Sequence, residues 1–313
     1  MTDIINGKVI RNEVSAKSMG GTELMAEAMA KHIDPDLLQK FQIVNSRVRK
    51  FEPGKKYIYV AHDLPNDPEA QHIGDKGMIG RWSGIVFPSN WSMQIYNLMH
   101  QVPYGRCEVL RNAIQPITRT LKPEDGTVRL IYHTTPHRGL EILVPVFETL
   151  YEKYPNITLD VYSSFSIYGW DDRDQPYEGI FERCRQHPAI NYHGAVPNDE
   201  VRAALQKAHI FAYPCIWPET SCIAAIEAMS ACVHVVCPNY AALTETCMYN
   251  STMYQWHENK ASHAKRFLVA LENVIEEYDP THKIYYSMKP IIDEYYSWEH
   301  RAKQWNAYLE SLL

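Results

Sequence analysis

Glu219 and Glu227 stand eight positions apart in the segment Tyr213-Pro-Cys-Ile-Trp-Pro-Glu-Thr-Ser-Cys-Ile-Ala-Ala-Ile-Glu-Ala-Met-Ser-Ala231. From Ser221 to Ala231 the residues are apolar almost all round, which predicts a buried helix. Glu219 sits just before that helix, and Glu227 is the only charge within it. A buried carboxylate is costly alone, so Glu227 needs a donor, either a protein group or a ligand hydroxyl. Thr220 and Ser221 are good N-cap residues, and the first-turn amides of such a helix suit a phosphate. A phosphate at the helix start with a carboxylate on either side to hold hydroxyls describes a nucleotide-sugar pocket. A plainer arrangement fits the same residues: a surface Glu219, and a Glu227 paired with a buried Lys or Arg.

Position in the fold separates the two. Short β-rich runs recur at 128–133, 157–163, 190–193, 209–214 and 233–237, and helical patterns follow at 138–153, 178–187, 198–207, 221–231 and 261–277. Strand and helix in alternation predict βαβ units, a parallel sheet and helices on both faces. The first half predicts a smaller α/β domain. A strand at 8–10 opens it, Gly20-Gly21 turn into a helix at 22–33, strands follow at 41–46, 57–62, 84–88 and 107–112, and a helix spans 90–100. Residues 297–310 form an amphipathic helix with Trp298, Ala302, Trp305 and Leu309 on one stripe. The expected organisation is a first domain at 1–116, a linker at 117–126, a second domain at 127–295 and a terminal helix at 296–313.

Ligands of an open parallel sheet bind beyond the carboxyl ends of its strands. Thr134, Thr135, His137 and Arg138 follow the first strand of the second domain, and Ser163 and Ser164 follow the next. Gly194-Ala-Val196, then Trp217-Pro-Glu219, then Pro238-Asn-Tyr fall at later strand ends. Arg138 at a helix start suits a forked contact to a diphosphate, although a single surface arginine is more often only solvated. His62-Asp63 ends a strand of the first domain, where a capping Asp is the plainer alternative. His133 and His137 are four apart, but Pro136 between them breaks the helix that a metal-ligating pair would need.

The whole chain narrows the class further. It has 313 residues, 45% hydrophobic and 22% charged, as an ordinary globular protein does. A net charge of -6 gives no reason to expect nucleic acid. Neither a membrane-spanning apolar run nor a signal-peptide layout is present in the sequence. The seven cysteines form no C-x-x-C pair and fall in apolar patterns, which fits reduced core residues in the cytoplasm.

With these residues in place, the chain resembles the GT-B glycosyltransferases of the large retaining family 4, from Gly20 to the final helix and most strongly between 128 and 246. Pro218-Glu219 through Glu227-Ala228-Met229 matches the family's E-x7-E motif. The resemblance implies two Rossmann-like domains facing across a cleft, with the C-terminal helix packing back on the first. It implies that Glu219 holds the hydroxyls of the transferred sugar and Glu227 the ribose of the nucleotide. Thr220, Ser221, Cys222 and Ile223 would present amides to the diphosphate, with Arg138 beside them. Gly194 and Val196 would lie against the base, Gly20 and Gly21 would face the donor, and His62 and Asp63 would approach the sugar.

The implied activity is a retaining, metal-independent transfer from a UDP- or GDP-sugar to a glycan or other hydroxyl acceptor, with no cofactor. The alternatives are an epimerase of the same fold and a non-catalytic nucleotide-sugar-binding protein. The chain departs from the family in several places. Thr134-Thr135 stand where an Arg is usual, so one of two phosphate-neutralising charges is missing or supplied elsewhere. Cys232 and Tyr240-Ala241-Ala242 replace glycines. The first domain, at roughly 115 residues, is short for this fold.

Overall fold

The computed structural model describes residues 2–11, 18, 20–248, 251–279 and 284–313. The chain forms two compact units, one of residues 1–115 with 294–313, the other of residues 116–293. Each holds a six-stranded sheet. Among the described residues no helix is long and apolar enough to cross a membrane.

In unit 1 the strands are β1 (Thr2–Ile5), β2 (Lys8–Arg11), β3 (Phe41–Asn45), β4 (Lys56–Val60), β5 (Trp82–Phe87) and β6 (Cys107–Val109), ordered β2-β1-β3-β4-β5-β6. β3 to β6 are parallel, as α/β alternation predicts, but β1 runs antiparallel to both β2 and β3. The strand expected at 8–10 is therefore the second arm of a hairpin. Asn6 and Gly7, at φ 52° and 72°, make the tight two-residue turn that such a hairpin favours.

Every residue of β3 is buried, as suits a strand with neighbours on both sides and covered faces. α1 (Gly21–His32) buries Met25, Ala26 and Met29. α2 (Asn90–His100) spans the residues expected and carries the Ser89 cap on Ser92 N–H at 2.9 Å. The returning segment joins by Ile114 N–H to Tyr296 O at 2.8 Å and Trp298 N–H to Ile114 O at 3.2 Å. Gly84 has no Cβ because one would sit 1.8 Å from the Tyr308 hydroxyl of the final helix.

Unit 2 is parallel throughout. Its strands β7 (Val128–Tyr132), β8 (Ile157–Val161), β9 (Ile190–Tyr192), β10 (Ile210–Ala212), β11 (His234–Pro238) and β12 (Ser251–Tyr254) lie in the order β12-β11-β10-β7-β8-β9. Its helices include α3 (Leu140–Lys153), α4 (Glu178–Gln186), α5 (Asn198–Leu205), α6 (Ile223–Ser230) and α7 (Lys260–Glu277), and α8 (Trp298–Ser311) belongs to unit 1. Along α8, Trp298, Arg301, Trp305 and Leu309 are buried. The segment 117–126 is held to unit 2 by Ile117 N–H on Ser230 Oγ at 2.9 Å and Lys122 Nζ on Leu205 O at 2.8 Å.

Most strands end a residue or two before the periodicity suggests, because their last residues turn into loops at the carboxyl edge. The helix expected at 138–153 is a 3-10 turn, Pro136–Arg138, and then α3, with a break at Gly139. β12 has no counterpart in the sequence reading.

Candidate functional site

The chain leaves β7 in both directions across the sheet, to β8 and β9 on one side and to β10, β11 and β12 on the other. The carboxyl ends of β7 and β10 thus flank the point where the strand order reverses, the usual crevice for a ligand. The loop after β7 supplies Arg138, and the loop after β10 supplies Glu219. Gly139 lets the two loops touch. It has φ 133°, and a Cβ there would stand 2.3 Å from the Pro214 carbonyl oxygen. The contact continues with Ile216 N–H donating to Arg138 O at 3.2 Å.

Arg138 Nη1 pairs with Glu219 Oε1, and the Tyr213 hydroxyl donates to the same oxygen. Arg138 Nε also donates to Thr135 Oγ1 at 3.1 Å. Glu219 is buried, at 6% exposure, so the guanidinium and the phenol supply the partners that a carboxylate needs away from water. The surface position that the plainer arrangement gave to Glu219 is overturned.

Glu227 is also buried and also paired. Arg202 Nη1 lies 2.8 Å from its Oε1, and Asn198 Nδ2 donates to the same oxygen at 3.2 Å. Both partners come from α5, which begins just after the Gly194–Val196 loop, where Gly194 takes φ 67°. The Gly194–Val196 loop and Glu227 are thereby joined through one short helix.

Between the two glutamates the N-cap expectation fails. α6 starts at Ile223, and its N-cap is Cys222 at φ 91°, with no side-chain cap hydrogen bond. Neither Thr220 nor Ser221 caps it. The tight approach of the loop after β11 forces this path: Ala242 N–H donates to Glu219 O at 3.1 Å, and Thr246 Oγ1 donates to Ser221 O at 2.6 Å.

His133 packs on Phe211 with ring centroids 4.5 Å apart. His137 stacks on Phe165 at 5.2 Å and meets Trp217 edge-on at 4.8 Å. Burial pulls both imidazoles down to about 3, aided at His137 by the Arg138 and Arg173 charges, so both are neutral at pH 7. Among the described residues no three His, Cys, Asp or Glu gather as metal ligands.

Gly20, Gly21, His62 and Asp63 belong to unit 1. Gly20 is the N-cap of α1 with φ -74°, a conformation open to any residue, so only its lack of a side chain distinguishes it. His62 Nε2 lies 3.1 Å from Asn45 Oδ1, and burial pulls its imidazole down to about 4. Asp63 is held above the ordinary carboxylate range by burial and then by the Asp67 charge. Glu23, in the first turn of α1, also acts on Asp63, which puts the α1 start and the β4 end on one edge.

A family model for glycosyl transferases group 1 matches residues 118–284, more than half of the chain. The chain belongs to this family. It is a glycosyltransferase, and its fold is GT-B. HepE of Anabaena, solved with UDP-glucose, is 15% identical with a TM-score of 0.65 over 82% of this chain and 72% of that one. A glycosyltransferase from Rickettsia africae ESF-5 is 16% identical, with a TM-score of 0.66 over 97% and 83% of the two chains. Sucrose-phosphate synthase from Thermosynechococcus elongatus is 14% identical, with a TM-score of 0.66 over 83% and 68%. At these identities the likeness is one of fold. A comparison with curated protein sequences finds no match.

Within this glycosyltransferase the structure adds Tyr213, Asn198 and Arg202 to the residues singled out from sequence. Tyr213 carried a signal, since it opens the segment that holds both glutamates. Asn198 and Arg202 carried only a weak one, an i,i+4 pair at a helix start, because their contact with Glu227 spans 29 and 25 residues.

Proposed function

We propose that this glycosyltransferase takes a sugar from a nucleoside-diphosphate donor, UDP- or GDP-linked, and passes it with retention to a hydroxyl acceptor such as a glycan. The observation that carries this reading is the meeting of Arg138 and Glu219 at the β7–β10 reversal, beside the uncapped start of α6. A guanidinium and helix amides suit the leaving diphosphate, and they would do so without a metal or organic cofactor. HepE solved with UDP-glucose and the pneumococcal O-GlcNAc transferase GtfA solved with UDP and GlcNAc share the fold, which supports a nucleotide-sugar donor.

In this reading Glu219 orients the sugar hydroxyls and Glu227 holds the ribose. The amides of Thr220, Ser221, Cys222 and Ile223 face the diphosphate, and Gly194 and Val196 lie by the base. Gly20, Gly21, His62 and Asp63 serve the donor sugar and acceptor from unit 1, His62 as a neutral hydrogen-bonding group. The glycosidic C–O bond breaks with its electron pair passing to the diphosphate. The acceptor oxygen then attacks the same face, and its proton goes to the departing phosphate oxygen. Seven unpaired cysteines suit a reducing compartment, so we place the reaction in the cytoplasm, with no nucleic-acid partner.

A thermal-shift screen against UDP-, GDP- and ADP-sugars tests the donor site, because a ligand of the folded state raises its melting temperature. One donor is expected to stand out, with turnover unchanged by a chelator. No shift with any of them would remove the donor-site reading, and loss of turnover with chelator would remove metal independence.

A further inference from the structure

The Arg138–Glu219 pair sums to no net charge, and so does Arg202–Glu227. His133 and His137, beside them, are neutral at pH 7. A donor diphosphate carries more than one negative charge, so these groups alone leave it under-compensated once it enters a partly dry crevice. Thr134 and Thr135 bring no charge at the end of β7. Arg266, beyond β12, is turned back onto the carbonyls of Gln255 and Trp256 at 3.1 Å each.

The loop between β8 and α4 holds a cation in a different situation. It runs from 162 to 177 and contains two 3-10 turns, Phe165–Tyr168 and Asp171–Tyr177. Two of its three acids, Asp171 and Asp174, are used internally, and the third, Asp172, is exposed. Asp174 accepts from Ser164 Oγ and from Phe165 N–H at 2.7 Å, and Asp171 accepts from Ser166 Oγ at 2.5 Å. Arg173, between them in sequence, is exposed and forms no ion pair with any described residue. Its guanidinium lies over the Trp170 ring at 4.1 Å, and Trp170 packs on Tyr168 at 5.0 Å. Two links bring this group to the crevice. Phe165 of the same loop stacks on His137, the residue beside Arg138. The Tyr168 phenol acts on the Arg138 guanidinium.

We infer that Arg173, steadied on the Trp170 face, supplies a second positive charge, beside that of Arg138, to the phosphates of the donor. This assignment rests on the donor site proposed above. A guanidinium suits the task, since it forks onto phosphate oxygens and keeps its charge at all relevant pH. Resting on an aromatic face rather than in an ion pair, it has no carboxylate to give up when the donor arrives.

Calorimetry on the full chain tests this with UDP, GDP and ADP and their nucleosides. Arg173→Ala is expected to weaken the preferred diphosphate about tenfold and to leave its nucleoside within about twofold, while Arg173→Lys keeps most of the affinity. The ligand-free melting temperature is expected to stay the same. If Arg173→Ala does lower it, Arg173→Gln against Arg173→Lys decides in its place. Unchanged diphosphate affinity in the neutral variant, or equal loss of diphosphate and nucleoside, overturns the assignment alone. A wild-type chain that binds none of the three diphosphates overturns the donor site and this assignment with it.

Discussion

The carboxyl edges of the two sheets are built alike, from parallel strands whose ends turn into polar loops, yet they balance charge in different ways. In unit 2 each buried carboxylate has its own guanidinium, Arg138 for Glu219 and Arg202 for Glu227. In unit 1, Asp63 lies beside neutral His62, and burial and then Asp67 push its carboxyl upward against the Ser46 hydrogen bond and the Arg47 charge. Pre-paired charges can exchange partners when an anionic, hydroxyl-rich ligand arrives. A carboxyl raised by burial beside a neutral imidazole suits hydroxyl groups better than phosphate. On the donor reading proposed above, the unit 2 edge suits the charged half of the donor.

The strongest way to break this contrast is at Glu219. Glu219→Ala is expected to lower transfer by about a hundredfold or more while nucleoside-diphosphate affinity holds or improves, since Arg138 is released. Kinetics beside calorimetry would show it, and full activity would end the sugar-positioning role. Next comes Glu227→Ala, expected to weaken the nucleoside diphosphate by about tenfold with kcat of saturated enzyme little changed. Unchanged affinity would mean that Glu227 only holds Arg202 and α5 in place.

The histidines sharpen the contrast, because both edges share them. His62, His133 and His137 titrate near 4, 3 and 3 in the folded chain, below the ordinary 6.5. The unfolded chain therefore takes up protons first, and stability falls as pH drops below 6.5 toward these values. Each group contributes at most about 1.4 kcal/mol per pH unit, less where solvent reaches it. His133→Gln is expected to flatten the loss of melting temperature between neutral and acid pH. An unaltered pH profile would show that His133 is already protonated or already wet.

The smallest effect is expected at Cys222, whose φ of 91° strains a residue with a side chain. Cys222→Gly is expected to gain about 1 kcal/mol, read as a rise of a few degrees in melting temperature, with donor affinity retained. A fall would mean that the thiol's burial outweighs the backbone strain.

Periodicity carried much of the fold. The alternation from 128 onward was enough for a parallel sheet, because strands buried on both faces read as apolar runs. Thr2–Ile5 escaped notice because four residues with one charge give little period, and Ser251–Tyr254 because it is as short, mixes a polar and an apolar or aromatic residue on each face, and buries only Tyr254. In the site, Glu219, Glu227 and Arg138 were legible as unusual residues at strand ends. Their pairing was not, since Arg138 meets Glu219 across 81 residues and only the adjacency of β7 and β10 brings them together. Thr220 and Ser221 misled for the opposite reason: local capping preference lost to the hold of Thr246 and Ala242 on the backbone beside them.

Unit 1 is discontinuous, its sheet lying before residue 116 and its closing helix α8 after residue 293. During synthesis unit 2 leaves the ribosome as one uninterrupted stretch and can fold as soon as it emerges, whereas unit 1 must wait. Until Trp298, Trp305 and Leu309 appear, the apolar surface they cover on the earlier half stays open to water and to chaperones. The second unit in sequence is thus the first that can be completed.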